Sequence, residues 1–257
     1  MSSLIRLVQN EQMKIYGRVR TWMMLGLLVL AVLFMAVLMK YVLDTGIDHV
    51  VGFMSLTTSL SGLAFIFAVI VAGDSVASEF SWGTIKLLLI RPASRSKILW
   101  AKYIAVLLFI AALLLLLLIA SYFAGLIFFG AGGALPEEMS FLSVVRAYGF
   151  QAVEIVMAST LAFMISAVFR SSSLAIGLSI FLMFTASTAI AILARFGYGW
   201  VKFILFANTD LTPYFLGGQP LVQGMTLGFS VTMLALYWIV FMFVSWLAFA
   251  KRDVAGS

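Results

Sequence analysis

The chain has 257 residues, of which 64% are hydrophobic and only 10% are charged, and its mean hydropathy is +1.15. Because soluble domains contain about 45–50% apolar and about 25% charged residues, this composition excludes a soluble protein and predicts one integral membrane domain over residues 1–257. The net charge of +6 does not indicate a nucleic-acid partner, since the basic residues lie at the ends of apolar runs. Cysteine is absent and histidine occurs once, so we expect no metal site and no catalytic triad.

Residues 1–21 are predicted to form an amphipathic helix on the membrane surface. Apolar side chains fall on one side of this helix, while Arg6, Asn10, Lys14 and Arg18 recur at every fourth position on the other. Cations at this spacing are available to anionic lipid headgroups. We therefore expect Arg6, Lys14 and Arg18 to contact the membrane surface.

Six apolar runs follow, each long enough to cross a bilayer as a helix. The runs are continuously apolar rather than alternating, which predicts an all-α protein and not a β-barrel. Residues 196–226 contain too many polar and helix-breaking residues for a free seventh span, and they are predicted to form a re-entrant or interfacial segment on the outer side. The predicted spans are approximately residues 22–43, 51–73, 99–129, 145–169, 174–194 and 227–250.

The distribution of basic residues predicts the orientation. With the amino terminus in the cytoplasm, 12 of the 16 basic residues lie in inside segments and four lie in outside segments. The positive-inside rule then places both termini of this multi-pass protein in the cytoplasm. It also makes residues 74–98, between the second and third predicted spans, a cytoplasmic loop.

This loop is predicted to contain a short amphipathic helix at Trp82–Ile90. A glycine–threonine pair offers its start, apolar side chains recur at positions i, i+3 and i+4, and Pro92 ends it. Apolar groups exposed in a basic loop require a protein partner or the membrane surface, and an interfacial helix that touches only lipid is the alternative. The basic stretch Arg91–Lys102, including Arg91, Arg95 and Lys97, is expected to face anionic headgroups.

The loop also carries a specific motif. Its residues fit the pattern E-x-x-x-G-T-x-K-x-L-L from Glu79, followed by P-x-S-R from Pro92 and then by the lysines Lys97 and Lys102. This resembles the cytoplasmic loop between the second and third spans of type 2 ATP-binding-cassette (ABC) exporter permeases, particularly small bacterial ones related to bacitracin-resistance and sodium-export permeases. The six predicted spans and a Ser166-x-x-x-Arg170 turn after the fourth span are also similar to that family.

The resemblance implies a coupling helix at Trp82–Ile90 that docks on a partner ATPase. It implies two cytoplasmic ABC ATPase subunits that bind ATP and Mg, a second permease that is either identical or related, and a location in the bacterial cytoplasmic membrane. The chain itself contains no Gly-Lys dipeptide and therefore no Walker A loop, so we expect no directly bound cofactor and no enzyme activity of its own. The expected ATPase-coupling residues are Glu79, Trp82, Gly83, Thr84, Ile85, Lys86, Leu88 and Leu89.

Glu154 and Gln151 in the fourth predicted span are candidates for a substrate path. A carboxylate inside a span is costly enough to be a functional hypothesis, although Glu154 could instead lie near the outer interface and pair with Arg146. An apolar tunnel with few charges favours an amphipathic peptide, an antibiotic or a lipid-like molecule as the exported substrate. The alternative function is a secondary transporter or a channel that needs no ATPase.

Overall fold

The computed structural model describes residues 4–43, 46–81, 94–133, 139–215, 218, 220–222 and 224–251. It begins with the amino-terminal helix, Leu4–Tyr16, and contains six helices that are long and apolar enough to cross a membrane. No strand occurs among these residues, and the predicted all-α, six-span architecture is confirmed. We name the helices span 1 (Val19–Tyr41), span 2 (Val50–Ser81), span 3 (Arg95–Phe129), span 4 (Phe141–Phe169), span 5 (Ser172–Arg195) and span 6 (Leu227–Ala250).

Span 2 is longer than predicted and is not uniform. It consists of a helix at Val50–Thr57, a 3-10 turn at Thr58–Leu60 and a second helix at Ser61–Ser81. The hydroxyls of residues 57, 58 and 59 each donate a hydrogen bond to the carbonyl three residues before, which gives the backbone an alternative to regular helix bonding. Residues 74–81 are helical, so span 2 continues eight residues into the segment predicted as a loop.

Serine side chains cap the starts of spans 3 and 4, each of which begins four residues earlier than predicted. Ser94 precedes span 3 and accepts a hydrogen bond from the Lys97 amide at 3.4 Å. Ser140 and Ser143 form a reciprocal capping box at the start of span 4, with both side-chain contacts at 3.1 Å. Span 4 ends at Phe169, because the next residue, Arg170, has a left-handed φ of 57° that stops the helix.

Spans 2 and 4 form the centre of the bundle. About two thirds of the membrane window of span 2 is buried, compared with 12–22% for spans 1, 5 and 6. Small residues allow close approach between neighbouring helices. At Gly73 of span 2, an added Cβ would lie 2.8 Å from the side chain of Ile176 in span 5 and 3.2 Å from its backbone nitrogen. Spans 2 and 5 therefore pack closely at this level.

The two ends of the bundle differ in chemistry. The end that carries the amino-terminal helix, here called the charged end, also brings spans 3 and 6 together, since Arg95 donates to the Ala250 carbonyl at 2.9 Å. At the opposite end, here called the far end, the Val50 amide donates to the Gly130 carbonyl at 2.9 Å. Three 3-10 turns between spans 5 and 6 pack at this far end. They are Gly199–Phe203, Leu205–Ala207 and Thr212–Tyr214.

Candidate functional site

A buried ammonium group links three elements at the charged end. The Lys102 side chain in span 3 is only 1% exposed. Its Nζ donates to Glu11 of the amino-terminal helix at 2.8 Å, to Glu79 of span 2 at 2.9 Å and to the Ser75 carbonyl at 3.0 Å. Lys14 donates to the same two carboxylates, at 2.9 Å to Glu11 and 2.6 Å to Glu79. The two lysines and two glutamates thus form a closed ring of ion pairs.

A second set of charges lies one helical turn deeper in span 2. Asp74 accepts hydrogen bonds from the guanidinium groups of Arg18 and Arg20, which flank the start of span 1. Its other oxygen accepts from the Ser172 hydroxyl at the start of span 5, at 2.8 Å. Because the Asp74 side chain is about 10% exposed, it requires these partners to stay ionised away from water. We call the seven charged residues the ionic cluster: Glu11, Lys14, Arg18, Arg20, Asp74, Glu79 and Lys102.

Neutral hydrogen bonds complete the attachment of the amino-terminal helix. Gln12 donates to the Ala105 carbonyl of span 3 at 2.9 Å. Thr21 and Trp22 at the start of span 1 donate back to the carbonyls of Ile15 and Tyr16, at 2.5 and 2.8 Å. The helix is therefore held against spans 1, 2 and 3 by side-chain contacts as well as by its apolar face.

These contacts give several of the basic residues that were predicted for the membrane surface partners within the chain. Lys14, Arg18 and Lys102 face carboxylates of their own chain, because span 2 continues as a helix and carries Asp74 and Glu79 to them. Burial lowers the pKa of Lys14, but the carboxylates of Glu11 and Glu79 outweigh it and hold this pKa above its usual value. Among the other predicted surface residues, Arg6 and Lys97 are exposed, whereas Arg95 is partly buried.

The expected ATPase-coupling residues divide into two groups. Glu79 lies in the last helical part of span 2, where its side chain is 9% exposed and forms part of the ionic cluster. Arg91 lies outside the described part of the chain. The same holds for the remaining expected coupling residues, which are Trp82, Gly83, Thr84, Ile85, Lys86, Leu88 and Leu89. The ionic cluster nevertheless joins the two helices that flank them, spans 2 and 3.

The candidate substrate-path residues line a cavity of about 540 Å³ at the far end, between spans 2, 4 and 5 and the turns that precede span 6. Gln151 accepts a hydrogen bond from Ser61 of span 2 at 3.0 Å. Glu154 lies 13 residues after the first residue of span 4, which is roughly 20 Å along the helix axis. The early start of span 4 thus places Glu154 more than three helical turns into the span. It lines the cavity together with Asp210, and no contact with Arg146 is seen among the described residues.

Sequence reasoning missed several members of the ionic cluster. No ion-pair role was predicted for four of them, because each lies in a segment assigned to the membrane surface or to an aqueous loop. These four are Glu11, Arg20, Asp74 and Lys102. One signal was available, since Asp74 and Glu79 directly follow a continuous apolar run. Carboxylates at that depth need partners, and the excess of nearby cations supplies them.

Comparison with known proteins places the chain in a family without an established function. Residues 22–255 match a protein family of unknown function, DUF2705. The chain is 37% identical over 315 aligned residues to the uncharacterized protein YhcI of Bacillus subtilis (strain 168), an alignment that covers 98% of this chain and all of the relative. It is 35% identical over 244 residues to the uncharacterized membrane protein YdbK of the same organism, which covers 94% of this chain and 99% of the relative.

The six apolar helices and the membrane-protein description of the second relative agree on a multi-pass membrane protein. The family match covers nearly the whole chain. The chain therefore belongs to the DUF2705 family.

Proposed function

We propose that this chain is the membrane permease subunit of an ABC exporter in the bacterial cytoplasmic membrane. In this proposal, two partner ATPase subunits hydrolyse ATP at the charged end, which faces the cytoplasm together with both termini. A second permease, identical or related, completes the pathway. The exported molecule is an amphipathic peptide, an antibiotic or a lipid-like compound.

The observation that carries the proposal is the ionic cluster. It ties the amino-terminal helix to the end of span 2 and the start of span 3, the two helices that flank the loop with the permease-like motif. A push on that loop would therefore move three helices as one unit. Since Asp74 also accepts a hydrogen bond from Ser172 at the start of span 5, the motion would extend to span 5, which is one of the helices that line the far-end cavity.

Alternating access follows from such a unit if two arrangements of the bundle are close in free energy. ATP binding in the partner subunits would favour one arrangement and nucleotide release the other, as a population shift. Spans 1, 5 and 6 have largely exposed apolar surfaces, which is compatible with lipid or a second permease as neighbours.

The test is purification of the tagged full-length chain from native membranes, followed by identification of bound proteins and an ATPase assay. We expect an ABC ATPase to co-purify in a 1:1 ratio with the permease chain. Replacing Gly83 and Lys86 together should release this ATPase or uncouple its hydrolysis, while Lys97→Ala, which removes an exposed cation outside the proposed coupling helix, should not. Retention of coupled turnover in the double variant would contradict the coupling-helix assignment.

A secondary transporter or channel is the second candidate, and the far-end cavity with two carboxylates favours it. Such proteins use intramembrane carboxylates in ion and proton pathways. The discriminating experiment is transport by the purified chain in liposomes without any ATPase. Substrate movement driven by an ion gradient alone would replace the ABC proposal with this one.

A further inference from the structure

The far-end cavity has a chemistry of its own. Its volume of about 540 Å³ lies within the range of roughly 300–1,000 Å³ that is typical of small-molecule sites. Its wall contains polar groups from spans 2 and 4 and from the turns before span 6. It also contains aromatic and aliphatic side chains, among them Phe65, Phe184 and Phe206.

The charges in this wall are of one sign. Glu154 and Asp210 both line the cavity, and none of its lining residues that the structure describes is a lysine or an arginine. Asp210 accepts a hydrogen bond from the Thr212 amide at 2.9 Å. Within the described residues, Glu154 makes no hydrogen bond and no salt bridge. The negative field of the cavity is thus not neutralised by the lining.

The contrast with the ionic cluster is informative. At the charged end the three carboxylates that the structure describes are paired with cations of the chain itself, whereas at the far end two carboxylates share a cavity that is large enough for a molecule. A carboxylate at this depth in a span is costly unless a cation or a proton compensates it. Aromatic rings in the same wall attract organic cations through their π-faces.

We propose that this cavity binds an organic cation with apolar substituents, with Glu154 and Asp210 as the charge partners and the aromatic wall as the apolar contact. An anion of the same shape is repelled by the same two carboxylates. The inference rests on the proposed function only where the bound molecule is taken to be an exported substrate; binding itself needs no ATPase.

The experiment uses tetraphenylphosphonium and tetraphenylborate, two probes of similar size and opposite charge. Binding of each to the full-length chain in nanodiscs is measured by equilibrium dialysis, with empty nanodiscs subtracted to remove partition into lipid. We expect saturable binding of the phosphonium cation and none of the borate anion. Equal saturable binding of both ions, or no protein-dependent binding of the cation, would overturn the proposal.

Variants assign the site. Glu154→Gln keeps the shape of the side chain and removes its charge, and we expect the affinity for the phosphonium probe to fall about tenfold or more, as for loss of one charged contact. Asp210→Asn, which lies outside the spans, should weaken binding in the same direction. Asp48→Asn is the matched control, because this exposed far-end carboxylate does not line the cavity. Unchanged affinity in both cavity variants would refute the assigned site.

The outcome is separable from that of the proposed function. An ATPase that co-purifies and hydrolyses ATP in a coupled manner, with no cation binding, would remove this inference and leave the permease proposal standing. Cation binding by a chain that recruits no ATPase would do the reverse. If Glu154→Gln fails to fold, the comparison of the two probes on the natural chain and the Asp210→Asn variant still decide the question.

Discussion

Replacing Lys102 with methionine removes the ammonium group that joins the amino-terminal helix, span 2 and span 3, while it keeps most of the aliphatic stem. In the natural chain this group donates three hydrogen bonds, two of them to the carboxylates of Glu11 and Glu79. The variant therefore leaves two carboxylates with side chains only 12% and 9% exposed, and within the described residues Lys14 is the cation that both still share.

The size of the effect follows from burial. Removal of one partner of a buried ion pair typically costs about 3–5 kcal/mol. Lys14 still bonds both carboxylates and its side chain is 41% exposed, so water and the remaining lysine relieve part of the cost. We expect the free energy of unfolding to fall by about 3 kcal/mol, at the lower end of that range.

The assay is equilibrium unfolding in mixed micelles with increasing sodium dodecyl sulfate, followed by tryptophan fluorescence. Lys97→Met is the matched control, because Lys97 lies in the first turns of the same span and is exposed; its effect should stay within about 0.5 kcal/mol. The double variant Glu79→Gln/Lys102→Met should be less destabilised than the sum of the two single variants, by about 1–3 kcal/mol for groups in one network. Equal stability of Lys102→Met and Lys97→Met would refute the ionic cluster as a structural unit.

Three further predictions concern other contacts. Gly73→Ala should destabilise the bundle by about 1–3 kcal/mol through overpacking between spans 2 and 5, whereas Gly177→Ala, where an added Cβ meets no atom within 4 Å, should not; equal effects in the same unfolding assay would contradict the close packing. Tyr103→Phe should cost about 1 kcal/mol, because the phenol contacts Thr160 and Trp238 at 2.8 and 2.7 Å. The control Tyr122→Phe changes a partly exposed ring and should leave the unfolding free energy unchanged. Asp74→Asn removes the charge that pairs with Arg18 and Arg20 between the amino-terminal helix and span 1. We therefore expect trypsin to cleave after these two arginines faster than in the natural chain, and an unchanged cleavage rate would argue against the pairing.

The sequence predicted the overall architecture because its main determinant is local. Each apolar run is long enough to span a bilayer, and in lipid a continuous apolar run must bond its backbone within itself. The boundaries were less accurate. The early start of span 4 depends on a serine capping box, and the late end of span 2 depends on partners elsewhere in the chain.

In the candidate site, too, some features follow from local sequence and others depend on residues far away in the chain. Gln151 and Glu154, which the sequence suggested for a substrate path, both line the far-end cavity. They could be selected from the sequence because a polar side chain inside an apolar run is visible there. The contribution of Asp210 was not predictable in this way, because it follows span 5 by many residues and reaches the cavity only through the turns at the far end.

By itself, the sequence determined that this is a six-span helical membrane protein, because hydropathy and backbone hydrogen bonding act within each helix. Only the tertiary structure decided which charges meet. From the sequence, Lys14, Arg18 and Lys102 are expected to face lipid headgroups. In the structure they pair with carboxylates that are far away in the chain. The physical reason is that an ion pair depends on distance in space and on exclusion of water, and both are fixed only when the helices pack.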